Sequence, residues 1–552
     1  MKLNINWKKS KLLIFGGITL VLAGYVFVNS LNLSPFYLEG ATFWCFAFTA
    51  YVLAGVFFHY GELFTIKTKA EQEGPYRVVP QLKLPKWAIW TVAVPWAFLL
   101  LMNIVMSPLL SYPAYRDQLG TPEVREFTGD VQVMDMDQLP VVDKDLAAKL
   151  ADKKLGERPS LGSQVYLGEP TIQQVNGKLV WAVPLQHSGF FKWLTNMEGT
   201  PGYIVVSATN PNDVEYVDQH LIKYQPNSYL LHDLARYTRF SSALFQGITD
   251  YSFELDDNGQ PHWVVSTYKN RRGFALPEAT GAIIVNASTG QHTQYSIAEL
   301  PEWVDRIQPE DFVMAQINNQ GEYVHGIFNF SNKDKFQSSE GEMVIYNNGR
   351  CYLFTGLTSV GRDESAIGFM MVDMVTKQPI RYQISGATEW SAQKSAEGKV
   401  QNLRYEASFP LILNVDGVPT YFMTLKDAEG LIKQYAFVSV ENYSIVGTGE
   451  TVTAASAEYS QNLRASGTNV SVDQQSLQTK SGQVDRIAWE FDGNETVYRL
   501  TLQGDGSTIY QISASTSDQL VLTQPGDRVE LRFVPVAEGT QICAEFSNLS
   551  MR

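Results

Sequence analysis

WAIWTVAVPWAFLLLMNIVM, residues 87–106, runs twenty positions without a charged side chain. A helix rises about 1.5 Å per residue, so about twenty apolar residues cross a hydrocarbon core about 30 Å thick. Two more uncharged apolar runs precede it, at 12–28 and 41–58. Lysines stand before the first run, but no small-residue cleavage motif follows it, so a membrane span is expected there rather than a signal peptide. Tyr25, Trp44, Trp87 and Trp90 sit near the ends of the runs, where aromatic belts form. Pro95 is expected to kink the third helix.

The loops give an orientation. Lys2, Lys8, Lys9 and Lys11 precede the first run, and Lys67, Lys69, Arg77, Lys83 and Lys86 lie between the second and third. Residues 29–40 carry no Lys or Arg. The positive-inside rule places the N-terminus and the 59–86 loop in the cytoplasm, and the region after 106 outside. The spans hold no ionisable group of the kind that ion or proton pathways need, so an anchor is expected.

The 552 residues include 45% hydrophobic and 18% charged side chains, which suits a folded protein of two to four domains. Up to residue 110 there are nine basic and four acidic side chains, a balance of +5. The remainder has 34 basic and 53 acidic ones, a balance of −19. A region so acidic repels phosphate backbones, so nucleic acid is not an expected partner; an envelope or membrane protein is. Cys45, Cys351 and Cys543 are scattered, with no zinc pattern and no disulfide framework. Three buried thiols are expected, with a Cys351–Cys543 bridge left open.

Beyond the spans one pattern recurs: an Asn-Gly or Asp-Gly pair, an apolar strand, a gap, and a second strand. The pairs are Asn176-Gly177, Asn258-Gly259, Asn348-Gly349 and Asp416-Gly417, with glycines 82, 90 and 68 residues apart. Such dipeptides suit type I′ turns, whose two central residues need positive φ. A strand-like run precedes each, so every unit reads as a three-stranded antiparallel meander. Helices are expected before the meanders at 143–154, 228–245, 301–317 (Pro301 at its first turn) and 388–400. A helix laid on each sheet buries one face of both.

Residues 281–291, GAIIVNASTGQ, resemble the closing strand of the PepSY-type domain, and 368–377, GFMMVDMVTK, is a second copy lacking the final glycine. The resemblance covers about a quarter of the chain. It implies a helix-on-sheet fold, an envelope location, and binding or inhibitory roles rather than catalysis.

Residues 456–476, rich in Ser, Ala, Gly and Gln, read as a linker. Five short strands follow within 477–552, which suits a small β-barrel resembling the OB type. The fold class expected is thus α+β: an anchor at 1–110, tandem PepSY-like units at 111–455, a linker, and a barrel.

No catalytic residues, cofactor or metal site are expected. The six histidines of the soluble region make no metal-binding pair, and no nucleophile elbow, Walker loop or dinucleotide fingerprint occurs. Two polar loops are the candidate ligand or partner sites. One spans 187–193, with His187, Ser188, Phe190, Phe191 and Trp193; the other spans 355–365, with Thr358, Ser359, Arg362, Asp363 and Glu364. The function expected is a membrane-anchored binding or scaffold module. The alternatives are a tethered hydrolase of envelope polymers, or a subunit of a larger membrane complex, which Gly16-Gly17 and Ala23-Gly24 would let pack closely.

Overall fold

The computed structural model describes the chain except residues 1–6, 61–84, 132–138, 340, 348, 361–365, 416, 467–477, 493–494, 506–507, 534–539 and 552. The basic loop residues Lys67, Lys69, Arg77 and Lys83, the turn residues Asn348 and Asp416, and the site candidates Arg362, Asp363 and Glu364 lie outside the described residues.

Helices α1 (Trp7–Asn29), α2 (Leu38–Tyr60) and α3 (Lys86–Met106) are each long and apolar enough to cross a membrane. Most of their side chains point outward, such as Leu20 and Leu100, as suits contact with lipid. Polar contacts between them are few. Thr19 meets the Tyr51 hydroxyl at 2.8 Å, and the Trp96 indole donates to Thr49. Helix α4 (Pro108–Arg116) follows α3 after Ser107.

Four sheets come next, each built on four antiparallel strands in sequence order; short strands at Val165–Leu167 and Glu406–Ala407 widen the first and fourth, and Phe336–Ser338 and a parallel Glu123–Arg125 widen the third. The first holds β1 (Thr171–Val175), β2 (Lys178–His187), β3 (Thr200–Ser207) and β4 (Val214–Ile222). The second holds β5 (Gly247–Leu255), β6 (Pro261–Arg272), β7 (Ala275–Asn286) and β8 (His292–Ser296). The third holds β9 (Met343–Asn347), β10 (Arg350–Ser359), β11 (Ala366–Asp373) and β12 (Pro379–Tyr382). The fourth holds β13 (Leu411–Val415), β14 (Val418–Lys426), β15 (Ile432–Ser439) and β16 (Val446–Gly449). Each expected meander is present and gains a fourth strand. The turn at Asn176-Gly177 has φ of 49° and 76°, as type I′ requires. At 256–259 only Gly259 is left-handed, and the Asp256 carboxylate accepts from the Asn258 and Gln260 amides instead.

Helices accompany the sheets. They are α5 (Lys144–Gly156), the short α6 (Phe190–Thr195), α7 (Leu234–Ser241), α8 (Glu310–Glu322), α9 (Glu389–Lys399) and α10 (Val452–Ala465). Helix α5 buries Leu146, Ala147, Ala151 and Leu155, and Asp143 caps it by accepting from the Leu146 amide. Three expectations need correction. Of the helix expected at 228–245 only Leu234–Ser241 forms, after a single 3-10 turn at Leu230–His232. Residues 301–309 are not helical: α8 starts at Glu310 after an extended Pro309, and the Ile307 and Gln308 amides donate to the Met374 carbonyl instead. The start of the expected linker is helix α10, whose Ala455, Tyr459 and Leu463 recur every four residues and are buried on the fourth sheet.

The apolar core is not divided unit by unit. One cluster joins side chains of the first, third and fourth sheets with α5, α9 and α10, and a second joins the first and second sheets. The C-terminal strands β17 (Gln478–Asp492), β18 (Glu495–Leu502), β19 (Tyr510–Ser513), β20 (Arg528–Phe533) and β21 (Gln541–Asn548) form a closed barrel in the order β17-β18-β19-β21-β20. The long β17 pairs with β18 through one half and β20 through the other, and β19 runs parallel to β21. All three cysteines are buried and free.

The second sheet is fastened to the spans. Arg236 donates to the carbonyls of Phe27 and Val28 at the end of α1, and Arg239 donates to Ser30. The Tyr37 hydroxyl donates to the Tyr268 carbonyl. The tip of the β6–β7 hairpin sets Phe274 against Ala41, Cys45 and Leu99 of α2 and α3. Helices α1–α3 therefore grip α7 and the second sheet.

Candidate functional site: an acid-lined cavity between four sheets

A cavity of about 2140 Å³ opens between the four sheets. Each sheet supplies part of its wall: Ile172 and Trp181 from the first, Asp250 and Trp263 from the second, Ile345 and Tyr346 from the third, Leu413 and Phe422 from the fourth. Ligand pockets usually run from about 300 to 1,000 Å³, so this one has room for an oligomer or a polymer segment. Among the described residues, eleven acidic and five basic side chains line it.

Its charged corner sits where the second sheet meets the segment before α8. Strand β5 bulges between Thr249 and Tyr251, and Asp250 takes a φ of 49° there. An aspartate in this left-handed conformation is strained, and the bulge places the residue on the cavity wall. Asp250 is open to the cavity space but has protein around most of it. Burial therefore raises its pKa, Arg306 opposes the rise, and the nearby Glu310, Asp311 and Glu169 add to it. Arg306 bridges to Glu310 at 3.2 Å and reaches the Ser252 hydroxyl at 3.3 Å. Burial works against the Arg306 charge, but Glu310, Asp250 and Glu254 outweigh it and hold the pKa above its ordinary value.

Behind this corner a polar seam ties three sheets. The Asp305 carboxylate accepts from the Gln174 amide at 2.8 Å and the Tyr346 hydroxyl at 3.0 Å. Gln173 accepts from the Leu255 amide at 2.9 Å. Glu254, fully enclosed, has neither carboxylate oxygen in a hydrogen bond; Ser252 and the Asp305 backbone come near without closing one. Burial, and then the Asp305 charge, push its pKa up to about 8. Chemically the corner offers carboxylates and one held guanidinium, which suit hydroxyl or cationic groups. Among the described residues no cluster fit to hold a metal ion occurs.

The sequence-expected site residues lie elsewhere. His187 ends β2, buried; its Nε2 meets the Asn196 carbonyl at 3.0 Å, and burial lowers its pKa, keeping it neutral. Ser188 is exposed beside it. Trp193 on α6 is buried, its indole donating to His232, while Phe190 and Phe191 are exposed. Thr358 and Ser359 are not in a loop: they end β10 and pair with strand Phe336–Ser338. No hydrogen bond, ion pair or ring contact between described residues joins the two groups, and the chain near His187 borders a separate, smaller pocket. Sequence reasoning missed Asp250, Glu254, Asp305, Arg306 and Glu310. The available signal was charge inside apolar strand and segment patterns, at Glu254 in residues 251–255 and at Asp305-Arg306 in residues 303–313.

No family model matches the chain, and no curated protein does. Among solved structures, an endo-1,4-beta-xylanase from Bacteroides thetaiotaomicron shares 11% identity over 50% of this chain and 71% of its own, with a TM-score of 0.16. A levansucrase variant of B. megaterium shares 10% over 76% and 97%, at 0.18. A Synechocystis apocarotenoid oxygenase variant shares 8% over 50% and 49%, at 0.14. Values this low carry no inference about fold or chemistry.

Proposed function

We propose that this chain is a membrane-anchored envelope protein whose outward-facing soluble region binds a neutral or cationic ligand in the cavity between its four sheets. The observation that carries it is the 2140 Å³ cavity with its excess of acidic side chains. The basic segments flanking the first two spans support a cytoplasmic N-terminus. The contacts of Arg236, Arg239 and Tyr37 support placing the 30–37 turn on the same side as the soluble body. The sheet units are PepSY-like on the strength of the repeated glycine-bearing closing strand, and the barrel is OB-like on its strand order and its one parallel pair. An envelope or membrane protein partner would use the surface of this array.

The test is a melting series of the full chain in mild detergent with envelope extract split into anionic, neutral and cationic pools. A neutral or cationic pool raises the Tm, because a ligand that binds only the folded state stabilises it. The rise vanishes in Asp250→Lys. A rise with the anionic pool alone, or an undiminished rise in the variant, contradicts the proposal.

One observation favours a second reading, hydrolysis of the bound polymer. Asp250, whose burial favours the protonated form, shares its corner with Glu310 and Asp311, and an acid paired with a carboxylate is what glycoside cleavage uses. New reducing ends from envelope polysaccharide, lost in Asp250→Asn, support it; intact polymer with binding retained refutes it.

A further inference from the structure

Several exposed aromatic side chains gather at the ends of α1 and α3. Helix α7 lies on the end of α1: Arg236 covers the Phe27 ring at 5.1 Å while binding the last carbonyls of α1. The Leu33 amide donates to the Leu244 carbonyl, and Asn32 donates to the Gln246 carbonyl. These contacts fix residues 230–246 at the level of the α1–α2 turn. On that level Phe36, Phe240, Phe245, Leu230 and Leu231 are exposed, with Phe36 at 77% and Phe245 at 61%. Leu230 has a φ of 51° and its carbonyl accepts from Arg236. A left-handed leucine is strained, so the fold tolerates strain to present it.

Helix α6 extends this surface. The Phe190 ring packs on Tyr229 at 5.1 Å, and buried Trp193 is bonded to His232, which leaves Phe191 projecting at 77% exposure. A second flank stands at the exit of α3. The Tyr115 hydroxyl donates to the Met106 carbonyl, and its ring contacts Tyr323 of the segment that leads to Phe328 and Phe330, which is 85% exposed.

We propose that these two aromatic flanks seat in the outer headgroup region of the bilayer and hold the soluble body at a fixed height and tilt over it. Lipid is the occupant because both flanks continue directly from helices that meet it, and large rings favour the boundary between water and hydrocarbon. Apolar surface of this extent exposed to water marks an interaction site. The 187–193 segment is then a membrane contact. The inference rests on α1–α3 being inserted.

The test places an environment-sensitive fluorophore, one site at a time, on the full chain in phospholipid vesicles. The sites are Phe191→Cys, Phe330→Cys, Val521→Cys on the exposed barrel surface, and Leu100→Cys within α3. Lipid-borne nitroxide should quench sites 191, 330 and 100, and aqueous iodide should quench 191 and 330 several-fold less than 521. Iodide quenching at 191 and 330 equal to that at 521, with site 100 still quenched by lipid, overturns the proposal and leaves the spans standing. Shielding from iodide without lipid quenching means a protein covers the flanks, which also overturns it. Loss of lipid quenching at site 100 removes the span reading first.

Discussion

The two closing-strand glycines, Gly281 and Gly368, carry the repeat at the scale of single residues. Their φ values are 153° and 147°, and each sits at a register shift. A Cβ on Gly281 would lie 2.0 Å from the Tyr295 carbonyl oxygen, and one on Gly368 would lie 2.2 Å from that of Tyr382. The clash is with backbone, which cannot swing aside. Gly281→Ala is therefore expected to cost about 2–4 kcal/mol, read as a lowered Tm of the full chain, while Gly177→Ala, with open space around it, costs about 1 kcal/mol through its φ alone. The copy at 368–377 lacks the last glycine, and there Lys377 adopts a φ of 63° in the role Gly290 fills at 77°. Glu254 gives a pH dependence. Its pKa is about 8 folded against 4.5 for the free side chain, so the folded state holds the proton more tightly. The resulting stability is complete below about pH 4.5 and is lost as pH rises toward 8. Glu254→Gln should flatten the Tm profile across that range and raise Tm at its alkaline end; an unchanged profile contradicts the assignment.

Elements were legible where local chemistry and long-range packing agree. Asn-Gly and Asp-Gly pairs with alternating strands marked all four sheets, and at Asn176-Gly177 two positive φ values fix the register of the strands joined. Helix α10 shows the opposite. Ser, Ala and Gln composition suggested a linker, but Ala455, Tyr459 and Leu463 share one helical face, and the Tyr459 hydroxyl meets that of buried Thr420 at 2.8 Å. Small residues hid the apolar period. Tyr459→Ala is expected to cost on the order of 3–5 kcal/mol and to expose 452–465 to protease, where a true linker would show no loss of stability. The clamp of α7 on α1 is also an element-scale device that no local pattern announces. Arg239 donates to the carbonyls of Ser30, Ala243 and Gln246, three groups left without that donor in Arg239→Ala. That variant is expected to lose about 3 kcal/mol or more and to admit protease at 30–36.

The cavity exists only at the scale of the whole molecule. Its walls come from strands more than 240 residues apart, from Thr171 to Lys426, so no window of sequence contains it. The sequence showed the acidic balance of the soluble region but not that part of it converges on Asp250, Arg306 and Glu310. The three long apolar helices were legible throughout, since an uncharged twenty-residue run needs no partner to be recognised. Gripping the second sheet, these helices hold one wall of the cavity, the strand that carries Asp250, in a fixed relation to themselves. The most direct measurement is native mass spectrometry of the full chain released from its own membranes in mild detergent, beside Asp250→Lys prepared in the same way. A neutral or cationic species retained by the wild type and absent from the variant is the expected result. Equal retention by both chains, or an anionic species alone, contradicts the account.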